Sequence, residues 1–275
     1  MNTSAGGSEP RSSGPKSAGR QSSEPIYATA IAAGSGLFGL LQVKPGTTGL
    51  SRLPDSGGAV LAITHFGYLD FALVEWMMWR KNRRHIRFLA KKSAFAHPIV
   101  GRLLLGMRHI SVDMADGAHA YSRAVAALKQ GEVLGVFPEG GVNASFTVRA
   151  LKSGAIRMAS EAVVPIIPVA VWGGHRLLTK NHKPSLRDAY RVPVRFAIGD
   201  PISVPRHADA ADLTLKLHAS LQALVDGLQK NYPVDGHAQW WQPAHLGGTA
   251  PTPEQAAIVE AERWRRKDAE AASRE

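Results

Sequence analysis

Cysteine is absent from all 275 residues. That excludes thiol nucleophiles, disulfide scaffolds and cysteine-ligated metals, and it fits a reducing compartment. Other signatures are missing too. The chain has no G-x-S-x-G elbow, no P-loop and no G-x-G-x-x-G with a fitting acidic residue after it, which lowers the hydrolase, nucleotidase and dehydrogenase readings. The 11 histidines, His175 and His182 among them, show no H-E-x-x-H or similar ligand spacing, so no metal is assigned. No signal-peptide h-region and cleavage pattern stand at the start, and no internal repeat is present. Acidic residues are scarce: 22 against 33 Lys and Arg give a formal charge of +11. An excess of this size points to an anionic partner: nucleic acid, an anionic bilayer, or an acidic carrier or nucleotide-containing substrate.

What is present is organised around one stretch. The apolar run 58–63 is short, rich in β-branched residues and flanked by Gly, and it reads as a buried strand. Thr64-His65-Phe66-Gly67-Tyr68-Leu69-Asp70 follows at once, and 69–79 has helical spacing. A histidine at the C-terminal mouth of a strand, with a carboxylate in the next helix's first turn, is a usual place for chemistry in α/β folds. Five residues is a little under one and a half helical turns, so the side chains meet only if His65 turns back over the helix start. Asp70 then fixes the tautomer and leaves the other ring nitrogen free as a base. Alone, the pattern is weak, since a His near an Asp is more often an N-terminal turn contact than a catalytic pair. A second stretch about seventy residues on strengthens it: Phe137-Pro138-Glu139-Gly140-Gly141 closes another strand-like run, 132–137.

The remaining chain alternates. Residues 1–25 are Ser, Gly, Pro, Arg and Lys with almost nothing to bury, and are read as a disordered leader. The apolar stretch 26–43 is uncharged but rich in Ala and Gly, against the roughly 20 strongly apolar residues of a membrane span. It is either an interfacial helix resting on lipid or a packing helix at the core's edge, and 45–58 is a connector. Strands are expected at 86–90, 109–112, 132–137, 164–171 and 192–198, and helices at 101–106, 117–130, 154–162 and 209–232. This is the pattern of an α/β fold with one mostly parallel sheet flanked by helices. The domain is expected at 58–233, followed by a 234–275 extension. Its charged helix from Glu254 is read as exposed and laced by i,i+4 pairs.

With both stretches in place, the sequence resembles the glycerolipid acyltransferase superfamily, the 1-acyl-glycerol-3-phosphate acyltransferases and their relatives. The resemblance covers 60–171 and, weakly, on to Pro201. His65 and Asp70 match the first motif, H-x4-D. Phe137, Pro138, Glu139 and Gly140 match the F-P-E-G block, and a family-like V-P-x-x-P-V stands at 164–169. The resemblance implies a glycerol-3-phosphate acyltransferase-like fold and a role in phospholipid biosynthesis. The implied reaction moves an acyl group from an acyl-CoA or acyl carrier protein thioester to a hydroxyl of an acceptor lipid, without a cofactor. His65 is then the general base and Asp70 its orienter. Glu139 and Gly140 belong to acceptor binding, and backbone N–H groups at the Gly67 or Gly140 turns are candidate oxyanion donors. The implied location is the cytoplasmic side of the cell membrane, peripheral or monotopic, with membrane lipids as partners and no nucleic acid.

The sequence also departs from the family. Members with a phosphate-bearing acceptor usually carry an Arg after the second motif's Asp and another two residues after E-G. Here Met114 and Val142 stand there. Bidentate Arg geometry is the common device for phosphate, so this is not a neutral change. Arg149 and Lys152 are the nearest substitutes, with Arg108 and Arg157 behind them, and a neutral or differently headed acceptor stays open. Thr64 stands where the family often has Asn. A basic cluster, Arg80, Lys81, Arg83, Arg84, Arg87, Lys91 and Lys92, suits an anionic bilayer or CoA phosphates. Trp76, Trp79 and Trp240-Trp241 suit either a lipid interface or the core. Three rivals stand beside the enzyme: a non-catalytic lipid-surface protein of the same fold, a nucleic-acid binder suggested by charge alone, and a metal-dependent hydrolase using His65, Asp70 and Glu139.

Overall fold

A computed structural model of the chain describes residues 24–113 and 116–272. The leader up to residue 23 and Met114 lie outside the described residues. In chain order the elements are α1 (Pro25–Leu40), β1 (Lys44–Thr48), β2 (Ala59–Ile63), α2 (Asp70–Asn82), β3 (Ile86–Lys91), α3 (Lys92–Phe95) and α4 (Val100–Gly106). Then come β4 (Ile110–Val112), α5 (Gly117–Lys129), β5 (Val133–Val136), α6 (Gly154–Ala162) and β6 (Ile166–Trp172). The chain continues through α7 (Leu186–Ala189), β7 (Pro193–Ile198), α8 (Ala210–Lys230) and α9 (Pro253–Ala272).

The described strands form one sheet in the order β1-β7-β6-β2-β5-β3-β4. All neighbours are parallel except β6 and β7. β2 lies at the centre with all five residues buried. Its alternating side chains feed two cores. Val60 and Ala62 pack with α5, α6 and α8 on one face, while Ala59, Leu61 and Ile63 pack with α2 on the other. A buried Leu or Ile of this kind contributes roughly 1.5–3 kcal/mol relative to exposure. The connection leaving β2 passes over β5 to β3, and the one leaving β5 passes back over β2 to β6. The two connections thus run over opposite faces of the sheet, α2 on one and α6 on the other, and a crevice opens between the carboxyl ends of β2 and β5.

Several expectations need correction. The connector after α1 contains β1, which pairs with β7, so the sheet begins before residue 58. Its Lys-Pro-Gly-Thr-Thr sequence fits an edge strand, where proline removes no needed donor. Glu24 is not part of a free leader, because it binds Arg87 and Arg108. α1 packs through Tyr27, Ile31 and Phe38, with the Tyr27 hydroxyl donating to Ile86 O at 2.6 Å, yet it leaves Ile26, Leu37 and Leu40 exposed. The packing reading describes its buried face. No helix among the described residues is long and apolar enough to cross a membrane. The basic cluster disperses: Arg87 is buried on Glu24 and Glu132, Arg84 donates to three carbonyls, and Lys81 pairs with Asp55. Arg80 and Arg83 lie over the rings of Trp76 and Trp79. Past α8, Trp241 enters the main core and is not a lipid contact.

Candidate active site

The parallel register builds the site. Ala62 lies opposite Val136, and three residues past each stand His65 and Glu139. The loops leaving the two strands are therefore side by side, and they are tied twice. His65 N–H donates to Glu139 Oε1 at 3.1 Å, and Asn143 N–H donates to His65 O at 2.8 Å. Thr64, fully buried, accepts from Val171 N–H at 3.1 Å and joins the same loop to β6.

Asp70 opens α2 and folds the His65 loop back over the helix start. Its Oδ2 accepts from Phe66 N–H (2.9 Å) and Gly67 N–H (2.8 Å) and lies 3.4 Å from His65 Nδ1. That contact selects the Nδ1–H tautomer and leaves Nε2 as the ring's acceptor. At 3.4 Å it stands at the long end of hydrogen-bonding distances. Burial raises the Asp70 pKa, against the lowering effect of His65 and the two amides. Asp70 Oδ1 is buried with no partner.

A third loop, after β6, seals the pair from behind. A Cβ on Gly67 would sit 2.9 Å from His175 Cα, and one on Gly174 would sit 2.9 Å from Asp70 Oδ1 and 2.7 Å from Leu73 Cδ1. His175 itself donates from Nε2 to Trp241 O at 3.0 Å and packs against Phe146 and Trp172. Burial pushes its pKa down to about 3, so it stays a neutral wall residue. Sequence reasoning weighed His175 only as a metal ligand. The signal available was the Gly173-Gly174 pair at a strand end. Asn143 was missed and carried no local signal.

The F-P-E-G turn supplies the other wall. Phe137 stacks on the His65 ring at 3.9 Å between centroids. Gly140 adopts φ 79°, a left-handed turn that favours glycine, and a Cβ there would meet Lys152 Cε at 3.1 Å. Glu139 points inward. Besides His65 N–H it accepts from Asn143 Nδ2 at 3.2 Å, and Arg149 Nε lies 3.8 Å away. Burial pushes its pKa up to about 7, against the lowering effect of His65 N–H and Asn143. Here its contacts are with protein, and only Gly140 of the expected Glu139-Gly140 pair lines the cavity. The two expected oxyanion amides are also engaged, Gly67 on Asp70 and Gly140 on Phe137 O. Among the described residues, the amides of Gly141 and Val142 meet no acceptor, and both residues line the cavity.

That cavity, about 600 Å³, runs from His65 past Phe137, Leu89, Val112 and Met158. Its polar wall holds Lys152, Lys180, Arg263 and the carboxylate of Glu260. Arg149 donates to Gly141 O at 2.7 Å and to Glu260 Oε2 at 2.5 Å. The structure thus brings His65, Asp70, Glu139, Gly140, Arg149 and Lys152 together. Arg108 is elsewhere, on Glu24, and Arg157 lies over the Tyr121 ring. Val142, where an arginine was expected, is a buried part of the cavity wall. α9 is not a detached charged helix, since Glu260 reaches Arg149 and Lys180. A single intrahelical pair, Arg266–Glu262, is recorded among its described side chains.

Comparison with known proteins agrees with this geometry. Residues 44–172 match the family model described as Acyltransferase. The chain is 30% identical over 183 residues to the 1-acyl-sn-glycerol-3-phosphate acyltransferase of Bacillus subtilis, covering 65% of this chain and 81% of that protein. It is 26% identical over 145 residues to the enzyme of the same name from Borreliella burgdorferi, covering 52% and 56%. Its fold is similar to the crystal structure of the 1-acyl-sn-glycerophosphate (LPA) acyltransferase PlsC from Thermotoga maritima, with a TM-score of 0.62 at 20% identity over 76% of this chain and 81% of that one. The matched segment holds both motif loops and the two strands they leave, β2 and β5, and on that ground the chain belongs to the glycerolipid acyltransferase superfamily, as a 1-acylglycerol-3-phosphate O-acyltransferase-like enzyme.

Proposed function

We propose that this enzyme transfers a fatty acyl group from an acyl-CoA or acyl carrier protein thioester to a hydroxyl of a lysophospholipid, with His65 as general base. The observation that carries the reading is His65, held by Asp70 at Nδ1, on the wall of a cavity that continues along apolar residues. The acceptor hydroxyl attacks the thioester carbonyl carbon as Nε2 takes its proton. The C–S bond then breaks, and the imidazolium returns the proton to the leaving thiolate. Asp70 orients the ring and stabilises its cation. The unengaged amides of Gly141 and Val142 are the donors best placed for the tetrahedral oxyanion. Glu139 acts through His65 as a positioning residue, and the basic wall beside Gly140 takes the acceptor's headgroup.

Association with a membrane surface is part of this reading. α1 and α4 lie against each other and expose Ile26, Leu37, Leu40, Ile99, Leu103 and Leu105, with Arg80 and Arg83 on Trp76 and Trp79 nearby. An apolar surface bordered by aromatics and arginine suits peripheral attachment to anionic lipid.

The deciding experiment is thiol release from long-chain acyl-CoA and from acyl carrier protein thioester by purified protein, with and without a panel of lyso-lipids, beside His65→Ala. Acceptor-dependent release lost in the variant is the expected result. If neither donor class supports release with any acceptor while the protein still binds vesicles, the reaction is wrong and a non-catalytic lipid-surface role replaces it.

A further inference from the structure

Helix α9 sits over the cavity mouth with little apolar reason to be there. Between Pro253 and Arg263 only Ala256 and Glu260 are even half-buried, while Ile258 and Val259 face outward. Its attachment is the Glu260 carboxylate, with Oε2 on Arg149 Nη1 at 2.5 Å and Oε1 3.6 Å from Lys180 Nζ. The two cations come from distant parts of the chain and take one oxygen each. Arg149 is further oriented by Gly141 O. Burial works against the Glu260 charge, but Arg149 and then Lys180 hold its carboxyl below the usual range. Lys152 and Arg263 stand on the same wall, and an adjoining groove of about 500 Å³ is lined by Lys180, Arg263 and Arg266. Glu260 is the sole carboxylate among the residues lining the cavity.

We propose that Arg149 and Lys180 form a binding subsite for a phosphate monoester, and that Glu260 is a built-in competitor for it, displaced together with α9 when ligand enters. This deepens the acyltransferase reading and rests on it, because it assigns the charged end of a substrate to the site. A phosphate monoester carries nearly two charges and three acceptor oxygens, against one charge and two oxygens on a carboxylate, so it outcompetes Glu260 for the same donors. Neither cation lies in the family's two expected arginine positions. Glu260 is then a specificity-determining residue: it sets a threshold that a neutral headgroup does not overcome. The same chemistry is available from an acceptor lipid or from the 3′-phosphate of CoA.

The test is binding, read without turnover. A 1-acyl-glycerol-3-phosphate, the matching monoacylglycerol, CoA and inorganic phosphate are titrated into full-length wild type, Glu260→Gln and Arg149→Gln. Hydrogen exchange of α9 is followed in parallel. Glu260→Gln is expected to tighten binding of the phosphate-bearing ligand roughly three- to tenfold, the worth of two partly exposed ion pairs. Arg149→Gln should weaken it by about tenfold or more, and monoacylglycerol should respond to neither change. Exchange in α9 should rise at saturation. Tightening towards the lyso-lipid places the phosphate on the acceptor, and tightening towards CoA alone places it on the donor. Equal affinities in wild type and Glu260→Gln for both, or unchanged α9 exchange at saturation, overturns the proposal. Absence of thiol release with every acceptor would instead sink the reaction, and these isotherms would tell the two failures apart.

Discussion

Helix α2 carries two histidine–carboxylate pairs of almost the same geometry. At its first residue, Asp70 Oδ2 lies 3.4 Å from His65 Nδ1; in its middle, Glu75 Oε1 lies 3.3 Å from His85 Nδ1. Both carboxylates are buried with pKa values raised by burial, and both also accept backbone N–H groups. The difference is what surrounds the imidazole. His85 is stacked between Tyr27 at 3.9 Å and Trp79 at 4.9 Å and is shut away from solvent. His65 has one aromatic neighbour, Phe137, retains 15% side-chain exposure and lines the cavity. The same contact locks a core in one case and, in the proposed reaction, orients the base in the other. The pair does not make a site. The open side of the ring does.

The sharpest way to break this comparison is to remove each histidine's function separately. His65→Ala should lower kcat by about 10²–10⁴, the range for a general base, with the thermal midpoint nearly unchanged. Acyl transfer and calorimetry on the same sample measure both. Glu75→Ala should do the reverse. It leaves His85 and the Ile86 N–H without their partner and should cost about 3 kcal/mol of stability, with activity per folded molecule largely kept. If Glu75→Ala lost activity while stability held, the distinction between the two pairs would fail.

A smaller effect concerns Glu139, whose folded pKa of about 7 lies above the ordinary 4.5. Between these values the native state holds more protons than the unfolded one, so its stability contribution is full below about pH 4.5 and is lost as pH rises through about 7. The wild-type stability minus that of Glu139→Gln should therefore fall across this window, by about 3 kcal/mol at most. Denaturant unfolding at several pH values measures it, and a rise with pH would overturn the assignment. Smaller again is Gly174→Ala. The added methyl meets Asp70 Oδ1 and the movable end of Leu73. It should cost about 1–2 kcal/mol and shift the acidic limb of the pH–rate profile, since it moves the group that orients His65.

Much of this was legible in the residues because much of it is local. Helix 154–162 was expected at the bounds that the fold gives α6, and each expected strand has its counterpart within two residues. The H-x4-D spacing let the pair meet only if His65 turned back over the start of α2, which is the arrangement in the fold. β1 was not legible, because Pro and Gly in an exposed edge strand look like a connector. The role of the C-terminal helix was not legible either. A charged, mostly exposed helix reads as solvated unless the Glu260 carboxylate can be seen to land on Arg149, 111 residues away.

By itself the sequence determined the alternation of strands and helices, the two motif loops and the chemistry of their side chains, since hydrophobic period and short-range spacing act over a few residues. Only the tertiary structure decided that β2 and β5 lie side by side in a register that brings His65 to Glu139, 74 residues apart. Packing also reversed β7 against β6, set the Gly174–His175 wall behind Asp70, and placed Glu260 over the basic mouth of the cavity. These contacts depend on which surfaces bury each other across the whole domain, and a partner chosen that way leaves no periodic trace in the chain.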